Sequence, residues 1–292
     1  MSKKVITSYK AFDKNMQCRG FQYEVGKEYE MDGEIECCNR GFHACKSPLE
    51  VWDYYDMLDS RYAEVEQSGK IDAEENSTKV CSSHIKIKAE LKLADIINIG
   101  VEWLKDITSP SKVKEDGVLN DNGDRRKQIG SSGYSAQIGS SGYSAQIGSS
   151  GDSAQIGSSG YSAQIGSSGD YAQIGSSGDY AQIGSSGDSA RIGSSGYYAK
   201  IGSSGDYAKI GSSGYSAQID STGEDSVIMC AGNSSRAKAK VGSWITLTEW
   251  KWSYEKKRDV PVCVKTEYVD GDNIKADTWY QLKNRKFVEV TE

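Results

Sequence analysis

The residues best equipped for chemistry crowd into one short phrase, CCNRGFHAC, which offers Cys37, Cys38, His43 and Cys45 within nine positions. Thiolates and an imidazole are the donors that hold zinc, so a metal centre is the first chemistry to weigh. The spacing counts against it. An adjacent cysteine pair is not the usual zinc knuckle, and no second knuckle follows, so buried structural thiols are the expected reading and no metal is called for. The only other histidine is His84, which leaves no Ser-His-Asp or Cys-His relay to assemble. Phosphate-loop and dinucleotide fingerprints are missing too, because the recurrent Gly-Ser-Ser-Gly is never followed by Lys-Ser/Thr. No cofactor is expected.

A second set of reactive or adhesive groups recurs at fixed spacing. Ile129 to Gln218 is ten uninterrupted copies of a nine-residue unit, each reading Ile-Gly-Ser-Ser-Gly, then Tyr or Asp, Ser or Tyr, Ala, and Gln, Arg or Lys. Tyrosine brings large contact area at low entropic cost, which makes Tyr171, Tyr180, Tyr197, Tyr198 and Tyr207 candidate anchors for a partner. Asp152, Asp170, Asp188 and Asp206 would stand beside them as a regular set of carboxylates. Outward tyrosine ladders that merely brace a stack are the competing reading.

Such columns exist only if the repeat is a rigid element. A flexible Gly-Ser linker has no reason to keep one Ile and one Ala in phase, yet neither slips. Ala136 and Ile138 lie two apart, so an extended chain sends both to one side and the Gln between them to water. The phrase therefore parses as a strand Tyr/Asp-Ser/Tyr-Ala-Gln-Ile followed by a Gly-Ser-Ser-Gly corner in which the glycines supply positive φ. A β-solenoid is predicted. Two repeats per coil would make a rod of roughly 24 Å over five coils, and three per coil is the alternative. Sorting by two puts Tyr134, Asp152, Asp170, Asp188 and Asp206 in one column and Tyr143, Tyr161, Asp179, Tyr197 and Tyr215 in the other. Sorting by three collects Asp152, Asp179 and Asp206, with as many exceptions, so both remain open. Either sorting makes one outer face rich in carboxylates and another rich in phenols.

The fold class expected is mainly β, a nonapeptide-repeat solenoid between two end modules. Residues 1–107 read as an α+β module, with strands at TSYKAFD, GFQYEVGKEYE, GFHAC, RYAEVEQSG and CSSHIKIKAEL and helices at SPLEVWDYYDML and KLADIINIGVEWLK. Residues 108–128 read as a linker, 129–236 as the solenoid with two decayed copies at its end, and 237–292 as a small β capping module with turns at Asp270-Gly271 and Lys283-Asn284. The net charge of −6 sits mainly in the N-terminal module. Nothing forms a basic footprint, so nucleic acid is not an expected partner. No apolar run is long enough to span a membrane, and the seven cysteines, an odd number behind no secretory leader, point to reduced thiols in the cytoplasm.

The phrases YKAFDKNMQCRGFQYEVGKEYE, CCNRGFHACKSPLEVWDYY and RYAEVEQSGKI resemble a family of uncharacterised bacteriophage and prophage modules, often followed by Gly/Ser-rich nonapeptides and a tail like DTWYQLKNRKFVEV. The resemblance implies a phage-related origin and a bacterial host cell, but supplies no chemistry. The function expected is non-catalytic binding of a host protein or protein complex by the solenoid surface, with a counter-defence inhibitor as one form of it. A purely structural scaffold and a homo-oligomer stay open. The run GFHAC-helix-RYAEVE is also similar to ADP-ribosyltransferase-like folds, which would make Arg19, His43, and Glu64 or Glu66 an NAD-gripping set. Calcium-binding nonapeptides and ice-binding faces match poorly, since Asp occurs in half the copies and the rungs carry Ser and Tyr rather than Thr arrays.

Overall fold

A computed structural model describes residues 5–74, 77–108 and 128–291. All of the expected linker except Thr108 and Gln128 lies outside the described residues. The chain is mainly β, and its solenoid of about seven turns spans residues 128–247.

The coil holds two repeats. Ile147 pairs in register with Ile129 on one side and Ile165 on the other, and Ile156 with Ile138 and Ile174, so partners stand eighteen residues apart. Alternate repeats thus form two parallel sheets facing each other across a core of Ile147, Ile156, Ile165, Ile174 and their successors, with an Ala from every described rung between Ala145 and Ala217 also buried. Ile and Ala do share the inner side, and the serine that follows each Ile-Gly joins them there.

The strand begins three residues later, and ends two later, than the sequence reading put it. It covers Gln-Ile-Gly-Ser, as at Gln146–Ser149, and the corner is made by the Gly, Tyr/Asp and Ser/Tyr that follow. The left-handed residues are not the repeat glycines but, from Ser153 onward, the residue before each repeat Ala, among them Ser153, Ser162, Tyr171, Tyr180 and Tyr198, with φ between 54° and 59°. That conformation aims an N–H along the rod: Ser153 donates to the Asp170 carbonyl at 2.7 Å and Tyr171 to that of Asp188 at 2.8 Å. Stacking satisfies donors that a lone hairpin would leave in water, which offsets the cost of a side chain at positive φ. The second glycine of each repeat is required for a different reason. A Cβ on Gly160 would sit 1.9 Å from the carbonyl oxygen of Gly142, one rung below.

At the far end both sheets turn back on themselves. Trp244–Ser253 begins as a solenoid strand beside Val227 and Ile228 and continues into an antiparallel hairpin with Arg258–Tyr268. Tyr280–Lys283 and Lys286–Glu289 form a second hairpin on the other sheet, its tight turn at Asn284 and Arg285, both left-handed. Antiparallel hairpins here cover edges that would otherwise template another chain.

In the N-terminal module the pairings close in a ring. Ile6–Phe12 pairs with Arg61–Ala73, that strand with Lys79–Leu91, that with Phe42–Cys45, and Cys45 returns to Tyr9. Phe12, Tyr23, Phe42, Val65, Ile85 and Ile87 fill its interior. GFQYEVGKEYE gives two short strands, Phe21–Gln22 and Glu28–Glu30, rather than one. The helix expected at SPLEVWDYYDML contracts to a 3-10 segment, Leu49–Asp53, while helix α1, Leu93–Ile107, forms as its apolar spacing requires. Both lie against one solenoid sheet. Ile97, Val101 and Leu104 of α1 and Leu49, Trp52 and Met57 around the 3-10 segment share one buried cluster.

One rung departs from the repeat on this covered sheet. Asp220 stands in the glycine column beside Gly202 and is buried, with Lys238 at 3.1 Å and its Oδ1 without a hydrogen-bond partner. Burial raises its pKa from the ordinary 3.8 to about 6, against the pull of Lys238. A carboxyl whose folded pKa is raised favours the folded state while protonated and penalises it once ionised. The penalty therefore grows as pH climbs from about 4 to about 6 and is complete above that. Asp220→Asn is expected to leave stability unchanged near pH 4 and to raise it at pH 7.5 by on the order of 2 kcal/mol, read by urea denaturation at the two pH values. Equal shifts at both would contradict this account.

Candidate functional site

Two sheet faces built from the same repeat have been given different fates. On the covered sheet the outward column of glycines lets α1 approach the backbone closely. A Cβ at Gly148 would meet Leu104 and Val101, at Gly166 Val101, and at Gly184 Ile97 at 2.6 Å. The outward Gln, Lys and Arg beside them do not face water, as the alternation predicted, but meet acceptors of the module. Gln164 donates to Asp53 at 2.6 Å, Gln182 to the Trp52 carbonyl at 3.1 Å, Lys200 pairs with Asp56, and Arg236 with Asp59 at 3.4 Å.

The opposite sheet carries the same column bare. Nothing lies within 4 Å of a Cβ placed on Gly139, Gly157, Gly175, Gly193 or Gly211. With Gln137, Gln155, Gln173, Arg191 and Lys209 alongside, it makes a shallow trough of about 790 Å³. No carboxylate lines it, so Arg191 and Lys209 leave it positive.

The predicted Tyr and Asp columns stand on the two edges of the rod, and the two-repeat coil divides the candidate set between them. Asp152, Asp170, Asp188 and Asp206 share one edge with Tyr171 and Tyr207, while Tyr180, Tyr197 and Tyr198 belong to the other. The aspartates are turned to internal use: Asp152, Asp170, Asp188 and Asp206 each accept the N–H of the corresponding residue in the next rung, at 2.7–3.1 Å. The phenols stack, with ring centroids at 4.9 Å for Tyr143–Tyr161, 5.1 Å for Tyr161–Tyr180 and 5.1 Å for Tyr180–Tyr198, and Tyr215 extends the ladder. Such pairs contribute about 0.5–1.5 kcal/mol each while every tyrosine of the ladder stays exposed.

The N-terminal module holds a deeper cavity of about 570 Å³ between Lys10, Cys18, Arg19, Tyr23, His43, Tyr54, Tyr55 and Lys79. It brings together Arg19 and His43 of the NAD-gripping set, but neither Glu64 nor Glu66 lines it. Glu66 is held by Lys88 at 2.7 Å. His43 accepts the Cys38 N–H at Nε2, 2.9 Å away, and burial, reinforced by the Lys10 charge, pulls its pKa down to about 4, so the ring is neutral near pH 7.

Of the cysteine phrase, Cys37 and His43 do converge, and the third member is Cys81 rather than Cys45, with all three potential ligand atoms within 4.8 Å of one another. Cys38 instead meets Lys79 Nζ at 2.9 Å, and Cys45 is buried. Burial pushes the Cys37 thiol up and the Cys81 thiol to about 12. Both thiols are therefore protonated near pH 7, and the His43 Nε2 lone pair is engaged by the Cys38 amide.

Residues 6–99 match the model of a domain of unknown function, DUF7666. No curated protein and no solved structure matches the chain. The DUF7666 region contains the cavity, the 3-10 segment with Asp53, Asp56 and Asp59, and the first half of α1, and it stops before Val101, Leu104 and the repeats. Sequence reasoning missed the glycine column as a surface, left Tyr143, Tyr161 and Tyr215 out of the candidate anchors although its sorting by two put them in one column, and missed Lys10, Tyr55 and Lys79 as cavity walls. The first two were recoverable from the eighteen-residue sorting; the third had no local signal.

Proposed function

We propose that the chain is a non-catalytic binding protein whose open solenoid face docks a protein partner, a host protein or complex in the bacteriophage setting that the N-terminal phrases resemble, with inhibition of a host defence as its role. One observation carries this reading. The same Gly column, edged by the same Gln/Lys/Arg column, already binds an apolar helix and a line of aspartates on its covered side and stands bare on the other. The partner that fits is a segment with a small apolar face and acidic side chains placed to meet Arg191 and Lys209, as Asp56 and Asp59 meet Lys200 and Arg236. The tyrosine ladder would flank such a partner along one edge. No helix among the described residues is long and apolar enough to cross a membrane.

The test is capture by tagged full-length chain from a bacterial lysate, comparing wild type with Gly175→Trp and with the pair Arg191→Glu and Lys209→Glu. These positions have open space around them, so melting temperatures should stay within a few degrees. A protein held by wild type and lost at least tenfold by both variants supports the face as the site. One retained by both moves binding elsewhere. If sedimentation shows a wild-type dimer that the variants abolish, the occupant is a second copy and the host-directed reading fails.

A further inference from the structure

We infer that the cavity in the N-terminal module binds an organic phosphate carrying a planar ring, of the size and class of a nucleoside diphosphate. This goes beyond the solenoid reading and stands or falls separately from it.

The charge balance of the cavity is the starting point. Lys10 is 3% exposed, and its Nζ donates to the His43 carbonyl at 3.0 Å and to Cys18 Sγ at 3.4 Å. The rings of Phe12 and Tyr23 lie 5.5 Å away and that of Tyr55 5.9 Å. No Asp or Glu lines the cavity, although Arg19, Arg40 and Lys79 line it as well. Lys79 is paired with Glu74 at 3.4 Å, outside the lining, and Arg40 donates to the Asp32 carbonyl at 2.6 Å; Lys10, buried against a carbonyl and a thiol, and Arg19 face the same cavity with no acid in its lining, which makes a site for an anion brought from outside. In a module that is otherwise acidic, that concentration of positive charge is local to the cavity.

Geometry adds the second half of the ligand. Arg19 is held at the mouth in a left-handed conformation, φ 51°, one residue before Gly20. That conformation belongs to the two-residue hairpin turn Arg19-Gly20 between Gln17–Cys18 and Phe21–Gln22, and it fixes the point from which the side chain leaves. Tyr54 and Tyr55 offer aromatic surface on which a planar ring can lie, and Lys79 Nζ sits 4.6 Å from the centre of the Tyr54 ring. The volume of about 570 Å³ exceeds what inorganic phosphate alone would fill and falls in the range of small-molecule sites. Arginine and lysine grip phosphate oxygens by charge-assisted hydrogen bonds, and the phenol faces hold the base by stacking. With no carboxylate lining the cavity, the arrangement holds such a ligand without offering an acid or base carboxylate to cleave it.

The experiment is calorimetric titration of the full chain with ADP, GDP, CDP and UDP, with adenosine and inorganic phosphate as halves of the ligand. At least one diphosphate is expected to bind ten times or more tightly than adenosine, and phosphate to compete with it. Arg19→Glu, at an exposed position, should weaken binding at least tenfold with the melting temperature unchanged. A second readout needs no variant. The exposed thiol of Cys38 lines the cavity, so bound diphosphate should slow its alkylation by iodoacetamide at least fivefold. Failure of all four diphosphates to bind, equal affinity for adenosine, or binding indifferent to Arg19→Glu would overturn the assignment. Loss of the solenoid partner with diphosphate binding intact would bear on the other proposal alone.

Discussion

Gly178→Ala is expected to cost the protein at least about 4 kcal/mol of stability, more than any single contact on the surface of the rod could account for. A Cβ at this position would lie 1.9 Å from the carbonyl oxygen of Gly160 and 2.6 Å from its carbon. Both sides of the clash are backbone, so no rotamer change relieves it and the rungs must part. Parting them stretches the ladder in which the Ser177 N–H reaches the Ser158 carbonyl at 2.9 Å and the Gln182 N–H that of Ala163 at 2.8 Å. Gly175→Ala, three residues earlier in the same repeat, is the control: its Cβ meets nothing, and the loss of unfolded-chain freedom makes the change neutral or slightly stabilising, within about 0.5–1 kcal/mol. Denaturant unfolding of the two variants decides the matter. Comparable stabilities would mean that the corner glycines serve only as turn formers.

Ile183→Ala and Ile138→Ala delete the same methyls from the same repeat motif and are expected to differ severalfold in effect. Ile183 is fully buried in mid-stack between Ile165 and Ile201, and truncating it leaves a cavity that the neighbouring rungs cannot close, at a cost of about 2–5 kcal/mol. Ile138 is only partly buried near the first turn. A stack whose members touch only their neighbours frays at its end without losing the middle, so the second variant should cost about 1 kcal/mol or less. Hydrogen exchange resolved by rung would show the first lesion weakening protection on both sides of residue 183 and the second leaving protection beyond the first coil intact. Identical global losses would make the solenoid a single cooperative unit.

Much of the site was legible before any coordinates. The fixed phase of Ile and Ala announced a stacked strand because only a buried column restrains both positions. The two-repeat sorting already held the aspartate and tyrosine edges, and the Asn284 turn followed from its left-handed preference. The strand phase was misplaced because Gly-Ser-Ser-Gly carries turn composition. Here glycine is selected for absent volume, against α1 at one position and against the next rung at the other. The helix expected after Ser47-Pro48 shortened because Trp52 and its neighbours are pinned individually onto the solenoid, a tertiary constraint without local signature.

What sequence alone determined is periodic: a nonapeptide strand, a rod made from it, and modules at its two ends. It could not choose two repeats per coil over three, since near-identical copies stack like on like under either count. It also could not say which sheet is covered, because Gln-Ile-Gly-Ser reads the same on both. That symmetry is broken only where α1 and Asp53, Asp56 and Asp59 settle on one face, and the cavity exists only where the closed ring of strands brings Lys10, Arg19, His43, Tyr55 and Lys79 around one space. Local periodicity is a property of neighbours in the chain. Occupancy of a face and convergence of distant cations are properties of neighbours in space.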